Sequence, residues 1–284
     1  MTSILTVNNH SRDVAGLKYV YPVLSRRAGG LSIGINFNTN NACNWRCIYC
    51  QVPDLKIGAA PDLDFQLLED ELRFFLGEVL LGDFYDRFQV EEGQRVIRDI
   101  AISGNGEPTS VRDFDKAVAL IGKVTTDAGV FPQSHFVLIT NGSLVHRPNV
   151  QNGLKVLKKY GGEVWFKLDS ATDQGRALIN NAGKSRQSCV ENLLLSARIC
   201  PTKLQTCLVD YDKRGLPVEE KDAYLDLLRN IKEKDCDLKG VMLYTIARPS
   251  LQPESGRLET LPMDVLNAFA GEIRRLGLDV LVSA

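Results

Sequence analysis

The sequence lacks the features that would place the chain in a membrane or bind it broadly to nucleic acid. No apolar run is long enough to span a bilayer, and residues 1–13 contain no apolar stretch of the kind found in signal peptides. Lys and Arg number 34 against 35 for Asp and Glu, without a long basic run, so no strong electrostatic binding of nucleic acid is indicated. The nearly equal numbers of basic and acidic residues still allow a local basic pocket that binds RNA. We therefore expect a soluble, cytoplasmic protein.

The sequence also lacks internal repeats, low-complexity tracts and a clear boundary between two folded domains. Its 284 residues are enough to bury a sizeable core within one domain. We expect a polar, irregular lead-in segment over residues 1–30, followed by a single domain over residues 31–284. Within the lead-in, residues 21–30 (YPVLSRRAGG) predict a loop, because proline and glycine punctuate them.

Cysteine is scarce outside one short stretch. Four of the seven cysteines have no tight spacing and are expected to be reduced thiols of the core: Cys189, Cys200, Cys207 and Cys236. The other three, Cys43, Cys47 and Cys50, are separated by three and then two residues. Thiolates ligate soft metals, and three of them are one short of the four that a closed 4Fe–4S site takes. The open position predicts an iron that binds a small molecule. A zinc site completed by a distant histidine is the alternative.

The pattern Cys-x3-Cys-x2-Cys, with an aromatic residue before the third cysteine, resembles the signature of the radical S-adenosylmethionine (radical SAM) superfamily. The resemblance implies that Cys43, Cys47 and Cys50 hold a 4Fe–4S cluster and that Tyr49 flanks the adenine of S-adenosylmethionine. In that family the amino and carboxylate groups of the cofactor bind the open iron. One electron, from a reductant such as flavodoxin or ferredoxin, then cleaves the sulfonium and releases a 5′-deoxyadenosyl radical.

A glycine-rich turn follows the short buried strand that residues 99–103 predict. Its residues Gly104, Asn105, Gly106 and Glu107 place a carboxylate at a strand end, where glycines let the backbone approach a ligand closely. Taken alone, the segment is better explained as a plain turn. After the cysteine motif it resembles the family's GGE element, which receives the amino group of S-adenosylmethionine through a charge-assisted hydrogen bond. Asn105 stands in place of the first glycine of that element.

Polar residues at the ends of two later strands complete the predicted cofactor pocket. Thr140 and Asn141 end the strand predicted over residues 136–140, and Lys167 and Asp169 share one face of the next strand because strand side chains alternate. A lysine and an aspartate inside a barrel are costly unless they pair or bind a ligand, so mutual pairing is the alternative. The resemblance assigns all four residues to the pocket.

The element pattern predicts an α/β protein. About six strands alternate with helices before a short terminal strand, which implies a parallel sheet with right-handed crossovers. Periodicity does not distinguish an open doubly wound sheet from a barrel. The resemblance favours a partial (β/α)6 TIM-like barrel of the radical SAM type, with its chemistry at the C-terminal ends of the strands.

Three arginines are candidates for substrate contact, and for Arg26 and Arg27 a solvated surface turn is the alternative. Arg26 and Arg27 lie in PVLSRRAGGLSIGIN and Arg248 in YTIARPS; both segments resemble a radical SAM subgroup related to wyosine-type tRNA-modifying synthases. Because guanidinium groups bind carboxylates and phosphates, these residues predict an anionic substrate, either a small molecule or RNA. The polar residues 171–186 predict an irregular loop and a second candidate for substrate contact. The wyosine synthases of the subgroup carry upstream cysteines for a second cluster, whereas no cysteine precedes Cys43 here.

The sequence thus predicts a radical SAM enzyme that abstracts hydrogen from an unidentified anionic substrate. An activase that generates a glycyl radical on a partner protein is one alternative. A non-catalytic protein that binds an iron–sulfur cluster or zinc is another, and it would have no use for Glu107, Thr140 or Lys167.

Overall fold

The fold is taken from a computed structural model in which residues 15–25, 29–183, 185–234 and 236–283 are described. Across these ranges no helix combines the length and apolar character needed to cross a membrane. The strands are β1 Val20–Ser25, β2 Gly30–Ile35, β3 Ala42–Cys43, β4 Lys56–Ile57, β5 Ile97–Ile102, β6 His135–Thr140, β7 Glu163–Lys167, β8 Thr202–Cys207, β9 Val209–Tyr211, β10 Leu238–Tyr244, β11 Leu258–Thr260 and β12 Val280–Ser283. The helices are α1 Phe65–Leu80, α2 Phe84–Arg87, α3 Phe114–Asp127, α4 Pro148–Lys159, α5 Asp173–Asn180, α6 Arg186–Ile199, α7 Val218–Glu233 and α8 Met263–Arg274.

One curled eight-stranded sheet forms the half-barrel, in the order β1-β2-β5-β6-β7-β8-β10-β12. Every neighbouring pair is parallel except β1 with β2. Helices follow β2, β5, β6, β7, β8 and β10 along the chain. The partial (β/α)6 barrel is therefore confirmed, and β12 is the predicted terminal strand.

The core lies between the sheet and the surrounding helices. The buried positions of α1 recur at helical spacing and face the sheet: Leu68, Leu72, Phe75, Leu76 and Val79. The side chain of Asp64 caps α1 by accepting from Leu67 N at 3.0 Å. Packing of this kind fixes each helix on the outside and leaves the strand ends free to carry polar loops.

The loop predicted over residues 21–30 is wrong for its first half. Val20–Ser25 forms β1, which pairs antiparallel with β2, so that Pro22 lies opposite Ile33. Proline is compatible with this strand because β1 lies at the edge of the sheet, where a missing N–H costs little. The buried side chains of Val20 and Leu24 supply the burial that outweighs the turn signals.

The irregular loop predicted over residues 171–186 is wrong for residues 173–180. Asp173–Asn180 forms helix α5, whose N-cap Thr172 accepts from Gly175 N at 2.8 Å. The cap stabilises this polar segment as a helix, and so does the burial of one side of the helix, which includes Arg176 and Asn180. The consequence is that α5 directs side chains toward the cysteine loop.

Candidate active site

The three cysteines lie on a loop that follows the C-terminal end of β2. Cys43 ends the short strand β3, and all three cysteines are partly exposed. Trp45 N donates to Cys43 Sγ at 3.5 Å, and Asn180 Nδ2 donates to Cys47 Sγ at 3.3 Å. N–H donors of this kind stabilise negative charge on sulfur, which suits thiolates that ligate a metal.

The cysteines are not preorganised around a single metal ion. Among the described residues there is no group of three His, Cys, Asp or Glu side chains set to hold one. Burial, the largest cause, raises the pKa of Cys43 to about 12 and that of Cys47 to about 11, so both are protonated at neutral pH. Binding of metal must therefore displace protons. Three soft sulfur donors with N–H donors beside them fit an iron–sulfur cluster chemically.

The glycine-rich turn packs directly on the cysteine loop. A Cβ atom on Gly104 would lie 2.1 Å from Asn36 Oδ1, and one on Gly106 would lie 2.0 Å from the Ala42 carbonyl oxygen, so neither position tolerates a side chain. Asn105 N donates to Asn36 Oδ1 at 3.0 Å, and Asn105 Nδ2 donates to Asn41 Oδ1 at 2.6 Å. Asn105, where the resembled element has glycine, thus ties the turn to the cysteine loop.

Glu107 is buried, and its carboxylate accepts four hydrogen bonds. Its Oε1 accepts from Thr109 N at 3.1 Å, Thr109 Oγ1 at 2.5 Å and Thr140 Oγ1 at 2.6 Å, while Oε2 accepts from Asn141 N at 2.7 Å. Burial raises the pKa of Glu107 and the four donors oppose that rise. Oε2 carries one bond and can accept another.

Two residues that the sequence did not single out connect the end of β6 to the cysteine loop. Asn141 Nδ2 donates to Asn44 Oδ1 at 2.8 Å, and Asn44 Nδ2 donates to Ser143 Oγ at 2.7 Å. The position of Asn44 directly after the first cysteine was the available signal. No local pattern marks Ser143.

Asp169 is already engaged by neighbouring groups. Its Oδ1 accepts from Cys207 N at 2.8 Å, and its Oδ2 accepts from Asn180 Nδ2 at 2.7 Å and from the Tyr49 hydroxyl. Lys167 Nζ lies 3.8 Å from Asp169 Oδ1. The mutual pairing that the sequence left open is therefore present.

Lys167 is held inside the barrel as an ammonium group. Its Nζ donates to the Tyr244 hydroxyl at 2.9 Å and lies 5.1 Å from the centroid of the Tyr49 ring. Burial lowers its pKa, but the charge of Asp169 and neighbouring groups offsets burial, so the pKa is raised overall. Tyr49, Lys167 and Asp169 thus form one connected group.

Of the three arginines predicted to contact the substrate, the described residues include Arg248 alone. Arg26 and Arg27 lie outside the described residues. Arg248 is partly buried and begins a segment, residues 248–254, that we call the strap. Its carbonyl oxygen accepts from Gln51 Nε2 at 3.2 Å. Arg248 is therefore close to the cysteine loop through its backbone.

The strap covers the cysteine loop by binding its carbonyl groups. Ser250 Oγ donates to the Ile48 carbonyl oxygen at 2.7 Å, and Leu251 N donates to the Cys50 carbonyl oxygen at 2.9 Å. Because the partners are backbone atoms, sequence patterns could not have revealed this contact.

Comparison with known proteins identifies the family. The family model for the radical SAM superfamily matches residues 37–246, a range that begins before the first cysteine and ends after β10. The match includes every described residue that the sequence assigned to the cluster and the cofactor.

Solved structures share the fold. "Structure of TYW1 with a lysine-pyruvate adduct bound" is similar with a TM-score of 0.57 and 17% identity, covering 86% of this chain and 73% of that chain. A radical SAM methyltransferase from Sphaerobacter thermophilus is similar with a TM-score of 0.57 and 13% identity, covering 93% and 68%. At these identities the likeness concerns the fold alone.

A curated relative matches over a shorter stretch. The protein "GTPase Obg" of Brachyspira hyodysenteriae is 29% identical over 158 residues, which are 54% of this chain and 20% of that protein. The chain therefore spans about a fifth of the length of that relative. From the family match, together with the cysteine loop at the strand ends of a partial barrel, the chain belongs to the radical SAM superfamily, a family of enzymes that use a 4Fe–4S cluster and S-adenosylmethionine.

Proposed function

We propose that this radical SAM enzyme holds its cluster through Cys43, Cys47 and Cys50 and abstracts hydrogen from an anionic substrate. The observation that carries the proposal is the position of Asn141. Its backbone donates to Glu107 and its side chain donates to Asn44, so one residue joins the strand end, the carboxylate and the cysteine loop. These are the three elements that the family places around its cofactor.

Glu107 and the end of β6 are the proposed site for the amino-acid part of S-adenosylmethionine. The unfilled acceptor capacity of Glu107 Oε2 suits an ammonium donor, and the bonds from Thr109 and Thr140 fix the carboxylate before the cofactor binds. When bound, the cluster and S-adenosylmethionine supply one-electron cleavage for hydrogen abstraction, with the electron coming from a reductant such as flavodoxin or ferredoxin. Gly104, Asn105 and Gly106 bring this carboxylate against the cysteine loop.

Lys167 supports an anionic ligand on the other side of the site. A lysine kept protonated by Asp169 attracts a carboxylate or phosphate and is a poor nucleophile. A lysine–pyruvate adduct is bound in the similar TYW1 structure. In this chain, Lys167 favours ion pairing over adduct formation. The apolar side chains of Ile48, Cys207 and Val209 lie together nearby and help exclude water.

The proposal is tested by anaerobic reconstitution and metal analysis. We expect about four irons per chain, following the cluster stoichiometry. Replacement of Cys43, Cys47 or Cys50 by alanine should abolish iron binding. Cys207→Ala should retain the cluster, although Cys207 shares a small apolar cluster with Ile48 of the cysteine motif. Addition of dithionite and S-adenosylmethionine should then yield 5′-deoxyadenosine. Stoichiometric zinc without iron after anaerobic purification would contradict the proposal.

The substrate is tested by isotope transfer. Deuterated anionic candidates, small molecules and RNA fragments, should transfer deuterium into 5′-deoxyadenosine. Arg248→Ala should bind S-adenosylmethionine normally but form less product per 5′-deoxyadenosine. Loss of cofactor binding in that variant would instead place Arg248 in the cofactor pocket.

A further inference from the structure

Arg176 is a buried cation without a matching anion in the described part of the chain. Arg176 belongs to helix α5, and only 3% of its surface is exposed to solvent. Its Nε has no hydrogen-bond partner, and it forms no ion pair with a described carboxylate. The guanidinium carbon lies 5.4 Å from the centroid of the Trp45 ring. A cation–π contact compensates only part of the cost of burying a charge, so a counter-charge is missing.

The neighbours of Arg176 do not provide this counter-charge. Cys189 lies beside Arg176 on the same small cavity, but burial raises the pKa of the Cys189 thiol, which therefore stays neutral at pH 7. The small cavity beside the guanidinium is lined by Trp45, Asn141 and Ser143 among other residues, and no carboxylate lines it. The cavity measures about 10 Å³, room for one water molecule and too little for a phosphate or a substrate.

The geometry of α5 directs Arg176 toward the cysteine loop. Arg176 and Asn180 are four residues apart and share one face of the helix. Asn180 donates to Cys47 Sγ at 3.3 Å, and Arg176 covers Trp45, which lies between the first two cysteines. The buried carboxylates of the site are already compensated, Asp169 by Lys167 and Glu107 by four donors. The remaining negative charge near Arg176 is the one that forms when the cysteines lose their protons and bind metal as thiolates.

We propose that Arg176 is the buried counter-charge of the iron–sulfur cluster. This inference rests on the proposed function, since it requires the three cysteines to bind iron as thiolates. Arg176 acts as a positioning and electrostatic residue and does not touch the reacting atoms. Two consequences follow. Arg176 stabilises the loaded protein more than the metal-free protein, and it favours the reduced cluster, because reduction adds one negative charge beside a fixed cation.

The test compares Arg176→Met and Arg176→Lys with the wild type, each metal-free and loaded. We expect Arg176→Met to leave the Tm of the metal-free protein unchanged or higher, because a buried unmatched charge is removed. Its gain in Tm on loading should be smaller than that of the wild type. The midpoint potential, from a redox titration followed by electron paramagnetic resonance, should become more negative. Arg176→Lys keeps the charge and should lie close to the wild type in both measurements.

Arg87 offers a matched control. It lies 5.7 Å from the centroid of the Phe88 ring but pairs with Glu78 at 2.6 Å, on α2 and outside the site. Arg87→Met should change the Tm of both forms equally and leave the potential unaltered.

The outcomes separate this inference from the proposed function. A wild type that binds no iron would contradict the proposed function itself. If the wild type loads normally, an Arg176→Met variant that folds without metal but no longer loads supports the inference. An Arg176→Met variant that fails to fold without metal, loses equal stability in both forms, or keeps the wild-type potential would overturn it. Equal shifts in potential for the lysine and methionine variants would also overturn it.

Discussion

Arg46 and Glu254 form a bidentate ion pair between the cysteine loop and the strap. Arg46 Nη1 lies 2.7 Å from Glu254 Oε2, and Arg46 Nη2 lies 2.8 Å from Glu254 Oε1. The hydrogen bond from Arg46 is the largest cause that lowers the pKa of Glu254. Since Arg46 lies between the first and second cysteines, the pair restrains the loop at the point where two proposed ligands are joined.

Removing either partner should loosen the loop without unfolding the protein. We expect Arg46→Ala and Glu254→Ala each to lower the free energy of unfolding by about 0.5–1 kcal/mol, since the pair is partly exposed to solvent. The double variant should lose little more than either single variant, as chemical denaturation in a double-mutant cycle would measure. Additive losses would show that the two residues act independently.

The same pair predicts a pH dependence. Because the pKa of Glu254 is lower in the folded state than in the unfolded state, its stabilising effect is complete above the unfolded-state pKa. The effect is lost as pH falls through the folded-state pKa. Glu254→Gln should therefore flatten the acid side of a plot of Tm against pH. An unchanged slope would mean that other carboxylates dominate the acid range.

Glu107→Gln should weaken both cofactor binding and folding. An amide presents a donor to groups that are themselves donors, so about 1–3 kcal/mol of stability should be lost. Affinity for S-adenosylmethionine should fall roughly ten- to a hundred-fold, because the charge that meets the ammonium is removed. Anaerobic calorimetry on the reconstituted protein measures this affinity.

Glu71 provides the control for Glu107. It is also buried, and its carboxylate accepts from Lys18 N at 2.8 Å and Tyr19 N at 2.7 Å. Glu71→Gln should lower the stability by a similar amount but leave the affinity for S-adenosylmethionine unchanged. If both variants bound the cofactor as tightly as the wild type, Glu107 would be only a turn residue.

Gly142→Ala should be more damaging than Gly161→Ala. Both glycines have positive φ angles, +70° and +73°, so both substitutions strain the backbone at a cost of about 1–2 kcal/mol. At Gly161 no atom lies within 4 Å of the added Cβ, whereas at Gly142 the Cβ would lie 2.0 Å from Cε2 of the buried Phe166. Overpacking should add about 1–3 kcal/mol at Gly142. Chemical denaturation of the two variants measures the difference, and equal losses would contradict the steric argument.

The order of the elements could be predicted from the sequence, because strands and helices alternate with clear apolar periods. The curled barrel needed the resemblance carried by Cys43, Cys47 and Cys50. The strand β1 escaped prediction because Pro22 signals a turn, and only its edge position makes proline acceptable. Helix α5 escaped because its surface is polar, and so the burial of Arg176 was hidden.

The site was predictable where side chains belong to a motif and unpredictable where they meet across the fold. Glu107, Thr140 and Asn141 come together as the motif and strand ends suggested. Asn180 contacts Cys47 across 133 residues, and no local pattern encodes that distance. Contacts of this kind depend on the register of the sheet. The register determines where each strand ends relative to its neighbours and therefore which loops lie side by side.

The strap is synthesised long after the cysteine loop that it covers. Ser250 binds the Cys50 carbonyl across a sequence separation of 200 residues, so the loop stays uncovered on the ribosome until the strap emerges. At ordinary rates of translation this interval lasts roughly 10–40 s. During that time the hydrogen bonds from Ser250 to the Ile48 and Cys50 carbonyl oxygens cannot form, so the strap does not limit access to the cysteine loop.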